Sequence, residues 1–133
     1  MNDVKYFYVR NPYDRRDVTV VTRVRPYGAI YKVEFAWAFR SNHDDFVKRL
    51  GRELVDARLD TKDSNFYSYI FVDEKRSGII KFEILLELLK NPNTPKKFLE
   101  DISWAAYDYM PEKPVIDIFV RDISEYILDY VER

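Results

Sequence analysis

Few residues in this chain are of types that carry out catalysis. There is one histidine, His43, and no cysteine. That removes thiolate nucleophiles, disulfides, iron–sulfur clusters and thiolate zinc sites together. A single imidazole cannot build a multi-histidine metal site, and a Ser/His/Asp triad would have to rest on His43 with no supporting motif around it. Glu83 with Glu87, and Asp122 with Glu125, fall at spacings that share a helical face, where carboxylates are usually solvated surface. Asp108, Glu112 and Asp117 would give only a carboxylate cluster, interrupted by Pro111 and Pro114 and without the EF-hand order. Three glycines in 133 residues leave no glycine-rich loop to cradle a phosphate. The expectation is a protein without enzymatic activity, cofactor or metal.

The remaining chemistry is recognition. Aromatic rings alternate with cations through the N-terminal region: Tyr6, Tyr8, Arg10, Tyr13, Arg15, Arg16, Arg23, Arg25, Tyr27, Tyr31 and Lys32. Tyr, Trp and Arg dominate the energetics of protein interfaces. On that basis Tyr13, Arg15, Arg16, Arg23, Arg25 and Tyr27 are expected to bind a protein partner, with Lys48 and Arg52 adding a basic helix edge. Tyr13, Tyr27 and Tyr67 fall near turns or on mixed faces, whereas Phe35, Trp37 and Phe39 read as core. The alternative is single-stranded nucleic acid, with bases stacking on the rings and phosphates meeting the cations. The near-neutral charge of -1 opposes that alternative, and no RRM, KH or zinc-finger signature accompanies it. Charge is modestly divided, with 12 Lys and Arg against 9 Asp and Glu in residues 1–60, and 10 against 14 in residues 61–133.

These residues must be held by elements, and the periodicity indicates which. Residues 4–10 are aromatic and β-branched, ending at Asn11-Pro12, which predicts a strand closed by a turn. In 17–25, Val18, Val20, Thr22 and Val24 share one side, and Thr19, Val21, Arg23 and Arg25 the other. Pro26-Tyr27-Gly28 supplies turn chemistry, and in 30–39 the large set Tyr31, Val33, Phe35, Trp37 and Phe39 faces one way. Ser41 and Asp44 resemble a capping box, and Phe46, Leu50, Leu54 and Ala57 form the stripe expected to lie on the sheet in a helix over 43–59. Gly51 inside that helix implies something packed closely against it, sheet backbone being the simplest candidate. Phe66–Val72 reads as a further strand, apolar on both faces except at Ser68 and therefore central or covered.

Residues 79–90 fit both an alternating strand and a helix face, and helix is the reading chosen. Thr94-Pro95 then opens another helix bearing Phe98, Ile102, Ala105 and Tyr109. The tail fits either one long helix from Pro114 or a strand over 115–120 followed by a helix capped by Asp122. Strands precede helices, so the class is α+β: an antiparallel N-terminal sheet packed by an amphipathic helix, with a C-terminal helical layer.

The length suits a single domain spanning 1–133, and 22 aromatic residues can fill a core unaided. The first residues carry charge and tyrosine where a signal peptide needs an apolar run, and no stretch approaches the roughly 18 apolar residues of a membrane span. A cytoplasmic protein is expected.

At the strand-to-helix junction, Ser41, Asp44, Phe46, Lys48, Gly51, Arg52, Leu54, Arg58 and Leu59 make the pattern S-x-x-D-x-F-x-[KR]-x-x-G-R-x-[IL]-x-x-x-R-L. This segment, roughly 33–59, resembles one in small uncharacterised proteins encoded by tailed bacteriophages and prophages. Those proteins often have Cys before the Ser and Ala after the Leu/Ile region, where this chain has Arg40 and Val55. The resemblance implies a viral accessory protein, acting in the host bacterial cytoplasm, and brings no catalytic residues with it. A bacterial host protein, bound and inhibited or redirected, is the expected partner.

Overall fold

The computed structural model describes residues 4–41, 48–111 and 123–132. The chain divides into two compact units, residues 1–75 and 76–133.

Unit 1 is a four-stranded antiparallel sheet in the order β1-β2-β3-β4, with β1 Val4–Asn11, β2 Arg16–Tyr27, β3 Ile30–Ser41 and β4 Tyr67–Val72. One helix, α1 (Lys48–Thr61), joins β3 to β4. The β2–β3 hairpin turns at Gly28, whose φ of 62° is the left-handed conformation glycine adopts freely. The β1–β2 turn is tied by Asn11, whose Oδ1 accepts the Asp14 N–H at 3.1 Å. β2 runs straight through Pro26, which pairs in register with Tyr31, so the turn lies beyond the Pro-Tyr pair that had suggested it.

Strand register sorts the side chains by face. Tyr6, Val21, Ala36 and Tyr67 align across the sheet as one rung. Phe7, Val20 and Trp37 make a rung of the opposite face, and all three are buried.

α1 lies on the face of the small residues. Val55 and Leu59 pack with Val21, Ala36 and Ala38, and Val4, Tyr6 and Tyr67 border that cluster. This corrects the expected stripe: Leu50, Leu54 and Ala57 are exposed, and Phe46 lies outside the described residues. The physical reason is distance of approach. The sheet face beneath α1 is built of Thr, Val and Ala, which lets the helix backbone come so near that a Cβ on Gly51 would stand 2.6 Å from Thr19 Oγ1. The close packing inferred at Gly51 is therefore present, against the side chain of Thr19. The helix runs two residues past the expected end; its expected first turn and the Asp44 of the capping box lie outside the described residues. It ends at Lys62, which is left-handed at φ 51°, with the Lys62 and Asp63 N–H groups donating to Leu59 O and Arg58 O.

The second correction concerns β4. Among the described residues it pairs with β3 alone, as the last strand of the sheet, and Tyr69 and Phe71 are exposed. A run that is apolar on both sides need not be central when one side chain row is aromatic enough to remain half in water.

Unit 2 is helical: α2 Ser77–Lys90, a single 3-10 turn at Lys96–Phe98, α3 Leu99–Tyr109 and α4 Ile123–Glu132. The ambiguous run over 79–90 is thus a helix, burying Ile80, Phe82, Ile84, Leu85, Leu86, Leu88 and Leu89. Thr94 Oγ1 donates to Leu88 O at 2.5 Å, fastening the turn between α2 and α3. Residues 112–122, where the strand or helix alternatives of the tail fall, lie outside the described residues. Sheet and helices together make the fold α+β. Among the described residues no helix is long and apolar enough to cross a membrane.

Candidate functional site

The face of the sheet that carries α1 is only partly covered by it. Beyond the rung of Tyr6, Val21, Ala36 and Tyr67, toward the β2–β3 turn, two further rungs follow. One aligns Arg23, Glu34 and Tyr69, and the other aligns Arg25, Lys32 and Phe71. Tyr27 completes the row at the end of β2.

Three rings are exposed here, with Phe71 in contact with the other two. Tyr27 and Phe71 lie 5.1 Å apart between centroids, and Tyr69 and Phe71 lie 5.7 Å apart, edge to face. Lys32 Nζ stands 4.4 Å from the Tyr69 centroid, within cation–π range. Together they form a contiguous aromatic surface with a cation set into it.

Beside the rings sits Glu34, whose side chain is only 3% exposed, with three cations around it. Arg23 donates to Oε1 through Nε and forms an ion pair to the same oxygen through Nη2, both at 3.3 Å. Arg25 Nε reaches Oε1 at 3.5 Å, Lys62 Nζ reaches Oε2 at 4.0 Å, and the Tyr67 hydroxyl donates to Oε2 at 2.7 Å. Burial alone would push the Glu34 carboxyl up. The hydrogen bonds from Tyr67 and Arg23, with the charges of Arg23 and Arg25, outweigh that effect and hold it below its ordinary value. The Tyr67 phenol is pushed up to about 12, first by burial and then by its bond to Glu34.

A second set of polar contacts fastens α1. The Tyr6 hydroxyl donates to both oxygens of Asp56, at 2.8 and 2.9 Å, and its phenol is pushed up to about 12 by burial and by that bond. Arg58 Nη1 donates to Trp37 O at 2.7 Å while its guanidinium covers Phe66 at 3.6 Å; burial moves its pKa down. Among the described residues no buried side-chain N or O lacks a partner, and no group of three or more acidic or imidazole side chains is placed to hold a metal.

The eight residues expected to bind a partner do not form one surface. Tyr13, Arg15 and Arg16 sit at the β1–β2 turn, where Tyr13 is 96% exposed and Arg16 pairs with Asp14 at 3.3 Å. Arg25 and Tyr27 sit at the other end of β2, and Arg23 is buried on Glu34. Lys48 and Arg52 lie on α1 over the rings of Tyr8 and Tyr6, at 5.1 and 5.7 Å. Sequence reasoning missed Tyr69 and Phe71, the centre of the exposed cluster, along with Glu34 and Lys62. A usable signal was present: in β4 the rings of Tyr67, Tyr69 and Phe71 alternate with the smaller Ser68, Ile70 and Val72.

Comparison with protein-family models, curated proteins and solved structures returned no match to this chain.

Proposed function

We propose that this protein is a non-enzymatic accessory protein of bacteriophage type, which binds a bacterial host protein and inhibits or redirects it. The observation that carries the reading is the exposed cluster of Tyr27, Phe71 and Tyr69 with Arg25 and Lys32 at its side. Rings and guanidinium groups are the side chains from which protein hot spots are built, and a surface of touching exposed rings commonly marks an interaction site. The phage-like segment over 33–59 supports the origin. In this reading the partner lies in the cytoplasm of the host cell.

The test is affinity capture by the tagged protein from bacterial lysate, with and without nuclease. A stoichiometric, nuclease-resistant protein that is retained by the native chain and lost from Tyr69→Ala/Phe71→Ala is the expected result. Retention of the same protein by that double variant counts against this surface.

A second reading, single-stranded nucleic acid, draws on Tyr69 and Phe71 standing two residues apart on one strand face beside Lys32. That spacing can stack successive bases. Capture that vanishes with nuclease would favour it.

A further inference from the structure

The charge around Glu34 is unbalanced. One nearly buried carboxylate is shared by Arg23, Arg25 and Lys62, so the cluster carries a surplus of two positive charges. Arg23 is enclosed, but the Arg25 and Lys62 side chains are 55% and 61% exposed, and Lys32 adds a further cation on Tyr69. Like charges gathered this closely repel unless an anion is shared among them. In sequence, Asp60 and Asp63 flank Lys62, and Asp73 and Glu74 follow the end of β4.

Lys62 adds an independent sign. It occupies the left-handed position that ends α1, where glycine is the favoured residue and any side chain costs backbone energy. A lysine there is disfavoured by local structure, yet its ammonium is the group brought over Glu34.

From these observations we infer that the uncovered sheet face takes an acidic, aromatic or aliphatic segment of a protein partner, its carboxylates received by Arg25, Lys62 and Lys32 and its apolar side chains by Tyr27, Phe71 and Tyr69. The inference rests on the protein-binding reading above and names the partner's chemistry. A peptide fits better than a polynucleotide because the cations converge on one carboxylate. A phosphate backbone requires them spread along a track. Unit 1 as a whole is nearly balanced, with 14 Lys and Arg against 12 Asp and Glu in residues 1–75.

The experiment is a fluorescence-anisotropy titration of the full chain with three probes: a short peptide alternating Glu with Phe and Leu, the same peptide with Gln for every Glu, and oligothymidylate. The acidic peptide is expected to bind, with the Gln peptide weaker by about tenfold, since several modest ion pairs are lost at once. Arg25→Gln and Lys62→Gln are each expected to weaken it about two- to fivefold, and Tyr69→Ala more. Lys62→Gly separates function from folding: it should raise the melting temperature while weakening the acidic peptide. Equal binding of the acidic and Gln peptides overturns the inference, as does binding of oligothymidylate alone or of no probe at all. If the lysate partner is lost on Tyr69→Ala/Phe71→Ala but kept on Arg25→Gln/Lys62→Gln, the acidic-partner inference fails and the protein-binding reading survives.

Discussion

Glu34 makes an acid-sensitive contribution to the stability of unit 1. Its folded-state pKa lies below the ordinary 4.5, so the stability its ion pairs contribute is fully present above that value and is lost as pH falls through the lower folded value. Thermal melts across that range should show stability falling below pH 4.5, with a shallower fall in Glu34→Gln. At neutral pH the same substitution leaves Arg23 enclosed without a counter-charge and is expected to cost about 3 kcal/mol. The alkaline side has the opposite sign. Tyr6 and Tyr67 are each raised from 10 to about 12, so their contribution is intact below pH 10 and is lost as pH rises from 10 to 12. In a tyrosinate absorbance titration a component near pH 12 is expected, and Tyr6→Phe or Tyr67→Phe should each diminish it.

At the level of the element, the packing of α1 rests on a residue without a side chain. Alanine at position 51 would gain about 1 kcal/mol of helix propensity, but its Cβ would meet Thr19 Oγ1 at 2.6 Å and Thr19 Cβ at 3.3 Å. Both contacts are on a short, branched residue, so the overpacking, about 1–3 kcal/mol, should win and Gly51→Ala should destabilise. In a Thr19→Ala background the closest contact is gone, and Gly51→Ala should then be neutral or stabilising; urea unfolding of the four proteins measures the coupling. The outward row tests the same packing. Leu50→Ala and Leu54→Ala should each cost little, within about 0.5 kcal/mol, whereas Leu59→Ala should cost about 2–5 kcal/mol. The existence of this helix was legible in the sequence, as were the three N-terminal strands; the run over 79–90 fits both periods, and the helix chosen for it is what the chain forms. The orientation of α1 was not legible. α1 carries one apolar row at Leu50, Leu54 and Ala57 and another at Val55 and Leu59, both at helical spacing. Which row turns inward depends on the sheet face it meets, and that face is fixed by residues far away in sequence, Thr19, Val21, Ala36 and Ala38. β4 shows the same dependence, because whether a strand is central or terminal is decided by its neighbours and only weakly by its own composition.

Across unit 1, the exposed rings and cations lie at the two ends of one long strand. β2 holds Arg16 at one end and Tyr27 at the other, a separation of roughly 36 Å for twelve residues at about 3.3 Å each. The alternation of rings and cations along the sequence was legible, and Arg25 and Tyr27 do belong to the exposed cluster. Tyr69, Phe71 and Lys62 join them only because β4 returns beside β3 and α1 ends where it does, pairings that no local pattern encodes. The end proposed to bind a partner can therefore be separated experimentally from the other. If the cluster is the interface, Tyr69→Ala and Phe71→Ala should each weaken capture of the partner by more than tenfold, the usual scale for a central hot-spot residue of about 2 kcal/mol. Tyr13→Ala and Arg15→Ala, at the far turn, should leave capture unchanged. Tyr13 is the most exposed ring in the chain's described residues, so a model in which exposure alone selects partners predicts the reverse order. Quantifying the captured protein from the four variants against circular dichroism of each decides between them, because all four positions are exposed and each variant should keep its fold.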